Sequence, residues 1–188
     1  MQLTARELAT AIHGILFGGL FLMACFGALA LLVRSRIAPS APEATEAAHR
    51  WDRAYLIVLV LLGWGAVLSG TWLIYPWYRA AVPAGVTNLA GYPQRLLLAD
   101  PGTRGWHELG MEWKEHVAWM APILMTMVAW VLIRYKGSID EHRNVRALVV
   151  AFAAAALLAA CIAGVFGAFL NKKAPVAGGR VITLRSGT

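Results

Sequence analysis

Apolar residues gather into four long unbroken runs, separated by segments where charge, proline and glycine concentrate. The runs cover approximately 8–33, 54–75, 117–133 and 147–170, and none contains a Lys, Arg, Asp or Glu. About 20 apolar residues in a helix cross the hydrocarbon core of a bilayer, and a lone segment there must satisfy its own backbone as a helix. The third run is the shortest, but the residues before it can extend its helix into the interface. The pattern predicts an all-α, integral membrane, four-helix up-down-up-down bundle over residues 1–170. A long loop, 76–112, joins helices 2 and 3, and a C-terminal tail, 171–188, leaves from the same face.

Helix starts are marked as well. Thr4-Ala-Arg-Glu7, Ser40-Ala-Pro-Glu43 and Ser138-Ile-Asp-Glu141 each have the Ser/Thr-x-x-Glu spacing of a capping box. Gly137 is placed to stop helix 3. Within the loop, YPQRLLLA reads as a short surface helix and Asp100-Pro101-Gly102 as a turn.

Composition agrees with the pattern. Of 188 residues, 59% are hydrophobic and 14% charged, with a mean hydropathy of +0.60; soluble domains carry roughly 25% charged residues. The first run is too long for a signal-peptide core and lacks a basic flank beyond Arg6, so it reads as a retained helix. The net charge of +7 needs no nucleic-acid partner, because basic loops are ordinary on membrane proteins. Cys25 and Cys161 fall mid-span, where they pack as small apolar groups. There is no CxxCH for covalent haem and no cysteine cluster for iron–sulfur or zinc.

Eight basic residues (Arg34, Arg36, Arg50, Arg53, Arg134, Lys136, Arg143 and Arg146) lie in the 1–2 and 3–4 connections, close to span ends. The opposite side has nine, but Arg95, Arg104, Arg180 and Arg185 are farther from a span. The positive-inside rule then puts both termini and loop 76–112 on the outer, periplasmic face of a bacterial inner membrane.

Candidate chemistry collects at that face. His13 lies in the first turns of span 1 and His116 at the mouth of span 3, the same end of the bundle whichever way it is inserted. Helices 1 and 3 are diagonal partners in an up-down bundle, so two imidazoles at similar depth are placed to ligate one haem iron from both sides. Gly14, Gly18 and Gly19 give helix 1 a flat surface for a macrocycle or for a neighbouring helix. Arg79, Lys114, Lys172 and Lys173 are within the region where propionates would need cations; Met111 and His107 are weaker substitute ligands.

Glu108, Glu112 and His116 recur at four-residue steps and share a helix face. Together with Glu115, Glu108 and Glu112 are candidates for moving protons to or from a quinol. Tyr75 and Tyr78 are positioned to hydrogen-bond a quinone or a propionate. A di-metal carboxylate site lacks matching ligands on the other spans. Five of the eight tryptophans (Trp72, Trp77, Trp106, Trp113 and Trp119) sit at this end, as an aromatic belt does. Pro122 is set to kink helix 3 below His116. Met120 and Met127 have helical spacing suited to packing rather than copper.

On these residues, within AIHGILFGG and WKEHVAW, the architecture resembles the small four-helix b-type cytochrome subunits that anchor bacterial respiratory enzymes. The resemblance implies one haem b with His13 and His116 as axial ligands, and exchange of electrons between quinol and other membrane redox subunits or a periplasmic carrier. Such cytochromes often carry two haems; this chain has one candidate pair. The competing reading is a cofactor-free accessory subunit of a respiratory or photosynthetic complex. In either case the chain is expected to be a non-catalytic subunit. A transporter is disfavoured because no span interior carries a charge.

Overall fold

The structure is a computed structural model that describes residues 2–34, 46–135, 139 and 142–183. Four long helices dominate it: α1 (Ala5–Val33), α2 (His49–Tyr78), α4 (Pro101–Tyr135) and α5 (Arg143–Lys173), with a short α3 (Pro93–Ala99) between the second and third. All four are long and apolar enough to cross a membrane. At 1.5 Å per residue they run about 43 to 52 Å, well beyond a ~30 Å hydrocarbon core. The overhang gathers at the end bearing both termini.

Packing is by neighbours around a square. The α1 helix lies against α2 and α5, and α4 lies against α2 and α5. Phe21, Cys25 and Ala28 of α1, Leu59 of α2, Met125 and Val128 of α4, and Ala153 and Ala156 of α5 meet in the centre. Outward, the chain is apolar too: Ile15, Met23 and Leu61 are 75%, 72% and 63% exposed. A water-soluble surface does not present such a girdle, whereas lipid contact requires it.

The chain between α2 and α4 is more helical than a loop. Helix α4 already begins at Pro101, because Asp100 accepts from the Gly102 N–H at 2.8 Å and proline suits the first helical position. The Asp100-Pro101-Gly102 signal is therefore a helix start rather than a turn, and the segment 76–112 shortens to 79–100 apart from α3 and a 3-10 turn at Leu89–Gly91. The α3 segment is the surface helix expected in YPQRLLLA. A second cluster, with Tyr78, Leu97, Met111, Leu170 and Val176, caps this end.

The tail also departs from expectation. Val181–Thr183 (β2) pairs antiparallel with Gln2–Thr4 (β1), so the two ends form a small ribbon that an all-α reading omits. Arg6 reinforces it by stacking over Trp77 at 5.3 Å. Thr4 then caps α1: its hydroxyl accepts from the Glu7 N–H at 3.2 Å while the Glu7 carboxylate accepts from the Thr4 N–H at 2.7 Å. Replacing Thr4 by Ala should cost about 1 kcal/mol, read as a lowered thermal midpoint in detergent. The boxes at Ser40 and Ser138, and the stop at Gly137, lie outside the described residues.

Candidate functional site

At the end carrying the termini, the helices depart from α geometry. Four π-helical stretches occur among the described residues: Ile12–Gly19 in α1, Gly70–Ile74 in α2, and Trp106–Met111 and Trp113–Val117 in α4. The i→i−5 bonds are explicit, from Tyr75 N–H to Gly70 O and from Ala118 N–H to Trp113 O. An α-helix gives up hydrogen-bond geometry to widen in this way, and such stretches concentrate at functional sites. Here they surround both candidate histidines.

His13 belongs to a stripe. With Phe17 and Phe21 it recurs every four residues along α1, and each ring seats on a glycine of α2. A Cβ added to Gly70 would come within 2.9 Å of the His13 ring, one on Gly65 within 2.7 Å of Phe17, and one on Gly63 within 2.7 Å of Phe21. Of the α1 glycines, Gly27 does the same in reverse, a Cβ there coming within 2.8 Å of the Tyr55 hydroxyl of α2, but the three near His13 do not. Gly14 has nothing within 4 Å, and Gly18 and Gly19 approach only the backbone of their own helix. Close α1–α2 packing is therefore made by Gly63, Gly65 and Gly70 of the second span together with Gly27 of the first.

Ser69 fixes the state of the imidazole. Its Oγ lies 3.0 Å from His13 Nδ1, and it also donates to the Gly65 carbonyl at 2.6 Å. A hydroxyl has one proton; spent on Gly65, it leaves oxygen lone pairs toward His13. The His13 proton therefore sits on Nδ1, and Nε2 keeps its lone pair. His116 has the same polarity by a different route, since its Nδ1 lies 3.0 Å from the Glu112 carbonyl, which can only accept.

The settings of the two rings differ. His13 is half-buried between α1 and α2, while the His116 side chain is 69% exposed on α4, with the Glu112 carboxylate 3.4 Å from its Nδ1. Glu108 and Glu112 are exposed with it.

Glu115 turns inward instead. Tyr75 donates to it at 2.9 Å, and Arg79 reaches both its oxygens at 3.2 Å while lying 4.9 Å above the Tyr75 ring. Arg79 is thus committed to a carboxylate of its own chain. Lys114 is not: half-buried, it places Nζ 3.0 Å from where a Cβ on Gly167 would stand, with no carboxylate in ion-pair range among the described residues. It lies within electrostatic reach of His13.

A neighbouring polar chain was not evident from spacing. Buried Tyr78 and His107 are joined at 2.8 Å between Oη and Nδ1, and His107 Nε2 lies 3.4 Å from the Gln94 amide nitrogen. His107 thereby ties α4 to α2 and α3, with both ring nitrogens engaged. The aromatic belt is also partly internal: Trp106 stacks on Phe169 at 4.8 Å and Trp113 donates to the Ala159 carbonyl at 3.2 Å, while Trp72 is 68% exposed. No group of three or more His, Cys, Asp or Glu suited to a metal ion occurs among the described residues. Comparison with known protein families, with curated proteins and with solved structures returns no match.

Proposed function

We propose that this protein is a membrane electron-transfer subunit holding one b-type haem at the end where its termini lie, with His13 and His116 as axial ligands. The observation that carries the reading is the matched state of these imidazoles. Each spends its Nδ1 proton on a protein oxygen, Ser69 Oγ or Glu112 O, and each keeps an Nε2 lone pair. Metal-ligating histidines characteristically engage their second nitrogen in this way, which fixes the tautomer and raises basicity.

The remaining donor set fits the group. Lys114 is a half-buried ammonium without a carboxylate partner among the described residues, suited to a propionate. Gly14 leaves an open surface on α1 next to His13. Arg79 serves the Glu115–Tyr75 cluster instead, where a carboxylate and a phenol lie in contact. That cluster is the proton-handling site for a quinol in this reading, with Glu108 and Glu112 available at the surface. When bound, haem b supplies reversible one-electron transfer; the chain holds it and handles protons. In the membrane the four helices form an up-down-up-down bundle with residues 76–112 and both termini periplasmic, where quinol and a soluble carrier can both arrive.

The competing reading, a cofactor-free accessory subunit, draws on the exposure of His116, which suits a contact with another subunit. A dithionite-reduced absorption spectrum decides between them. The haem reading expects sharp α and Soret bands in the purified protein, lost in His13→Ala and in His116→Ala. A folded, colourless preparation from cells supplied with haem precursor would sink it.

A further inference from the structure

The two cysteines are far apart in sequence but lie on helices that pack together. Helices α1 and α5 pack against each other along their length and run in opposite directions. At one end Arg146 donates to the Leu32 carbonyl at 2.8 Å. Farther along, a Cβ on Gly164 would stand 3.6 Å from Leu22 Cδ1. The Arg146–Leu32 contact shows that the helices run in opposite directions, and the Leu22–Gly164 contact sets the local register. Cys25 is three residues along α1 from Leu22, and Cys161 is three residues back along α5 from Gly164.

Positions three apart share a helix face, so both thiols belong to the faces that meet at the Leu22–Gly164 contact, one turn deeper. They lie within electrostatic range of each other. Small residues lie along these helices, with Gly164 against Leu22 and Ala28, Ala153 and Ala156 buried in the shared core, which lets helix backbones approach closely. Disulfides need Cα atoms within roughly 4.4–6.8 Å, a separation reached between helices only where side chains are this small. Cys25 is buried, and Cys161 is exposed on the apolar girdle.

We propose that Cys25 and Cys161 form a dithiol site that a lipid-soluble two-electron oxidant of the quinone class converts to a disulfide joining α1 to α5. Two S–H bonds break and one S–S bond forms. The two protons and two electrons released reduce the quinone to its quinol, so the step balances without another reactant. Cys161 meets the oxidant from the lipid side, and Cys25, on the facing helix, closes the bond. The product staples the helix that carries His13 to its neighbour. The inference is independent of the haem reading.

The test uses the full-length protein in membranes, treated with a short-chain benzoquinone, acid-quenched, denatured, labelled with maleimide and weighed intact. Untreated protein should take two labels. Oxidised protein should take none, weigh less by two hydrogens, remain monomeric on a non-reducing gel, and yield a linked α1–α5 peptide. Cys25→Ser should keep one label after the same treatment. Leu22→Cys/Gly164→Cys, in a background of Cys25→Ala and Cys161→Ala, probes the register with copper phenanthroline. Two labels retained on oxidised wild-type protein overturn the proposal: if the control pair crosslinks, the native thiols are inert, and if it does not, the helices are not so aligned. Disulfide-linked dimers through Cys161, equal in wild type and Cys25→Ser, overturn it as well.

Discussion

Gly65→Ala is expected to lower stability by about 1–3 kcal/mol, the range for overpacking a well-filled contact. The added methyl would stand 2.7–2.8 Å from two carbons of the Phe17 ring. That ring is held between α1 and α2, with Gly63 and Phe21 filled the same way one turn on, so neither helix can yield alone. Gly65→Leu should exceed this range and reduce the yield of folded protein. Gly14→Ala provides the contrast, because open space surrounds it. There the gain in helix propensity, roughly 0.5–1 kcal/mol, is the only term, and the thermal midpoint should hold or rise. Thermal unfolding of the three variants in one detergent measures both effects. Equal losses at Gly14 and Gly65 would contradict the seating of Phe17 on Gly65.

On the haem reading proposed above, Ser69→Ala should weaken haem retention by about 10–100-fold, the usual effect of removing a partner that orients a ligating histidine. Its hydroxyl is what puts the His13 proton on Nδ1. Without it, a half-buried N–H loses its acceptor and Nε2 is no longer held as the lone-pair nitrogen, so two effects act in one direction. Ser69→Thr keeps the hydroxyl and should retain most of the affinity. Haem titration of apoprotein, followed at the Soret band, gives the ratio. A change in thermal midpoint alone, with haem affinity intact, would mean that Ser69 only packs α2 against α1.

The apolar runs were legible because lipid imposes a requirement each segment meets by itself: enough consecutive apolar residues, and every backbone group bonded internally. Thr4–Glu7 was legible for a similar reason, since a capping box closes within one turn. The meeting of Glu112 with His116, four residues apart, is likewise local.

What depended on distant partners was not legible. Glycines along α1 and α2 look alike in sequence, yet Gly27, Gly63, Gly65 and Gly70 receive aromatic side chains while Gly14, Gly18 and Gly19 receive none. The His13-Phe17-Phe21 spacing opposite Gly63, Gly65 and Gly70 was a usable signal. Glu115 and Glu112 are three residues apart, but only Glu115 meets Tyr75 and Arg79 across the fold. The strand pair between Gln2–Thr4 and Val181–Thr183 joins the two ends of the chain, and no local pattern announces it. The π-helical stretches, two of them inside apolar runs, are likewise announced by no local pattern. Four spans, and the end where the histidines gather, were thus decided by the sequence itself, through constraints that act over single turns and single helices. Which glycine admits a ring, which carboxylate turns inward, and which histidine nitrogen keeps its lone pair were decided only by tertiary packing, because each depends on a group supplied by another helix or on the direction a side chain is made to take.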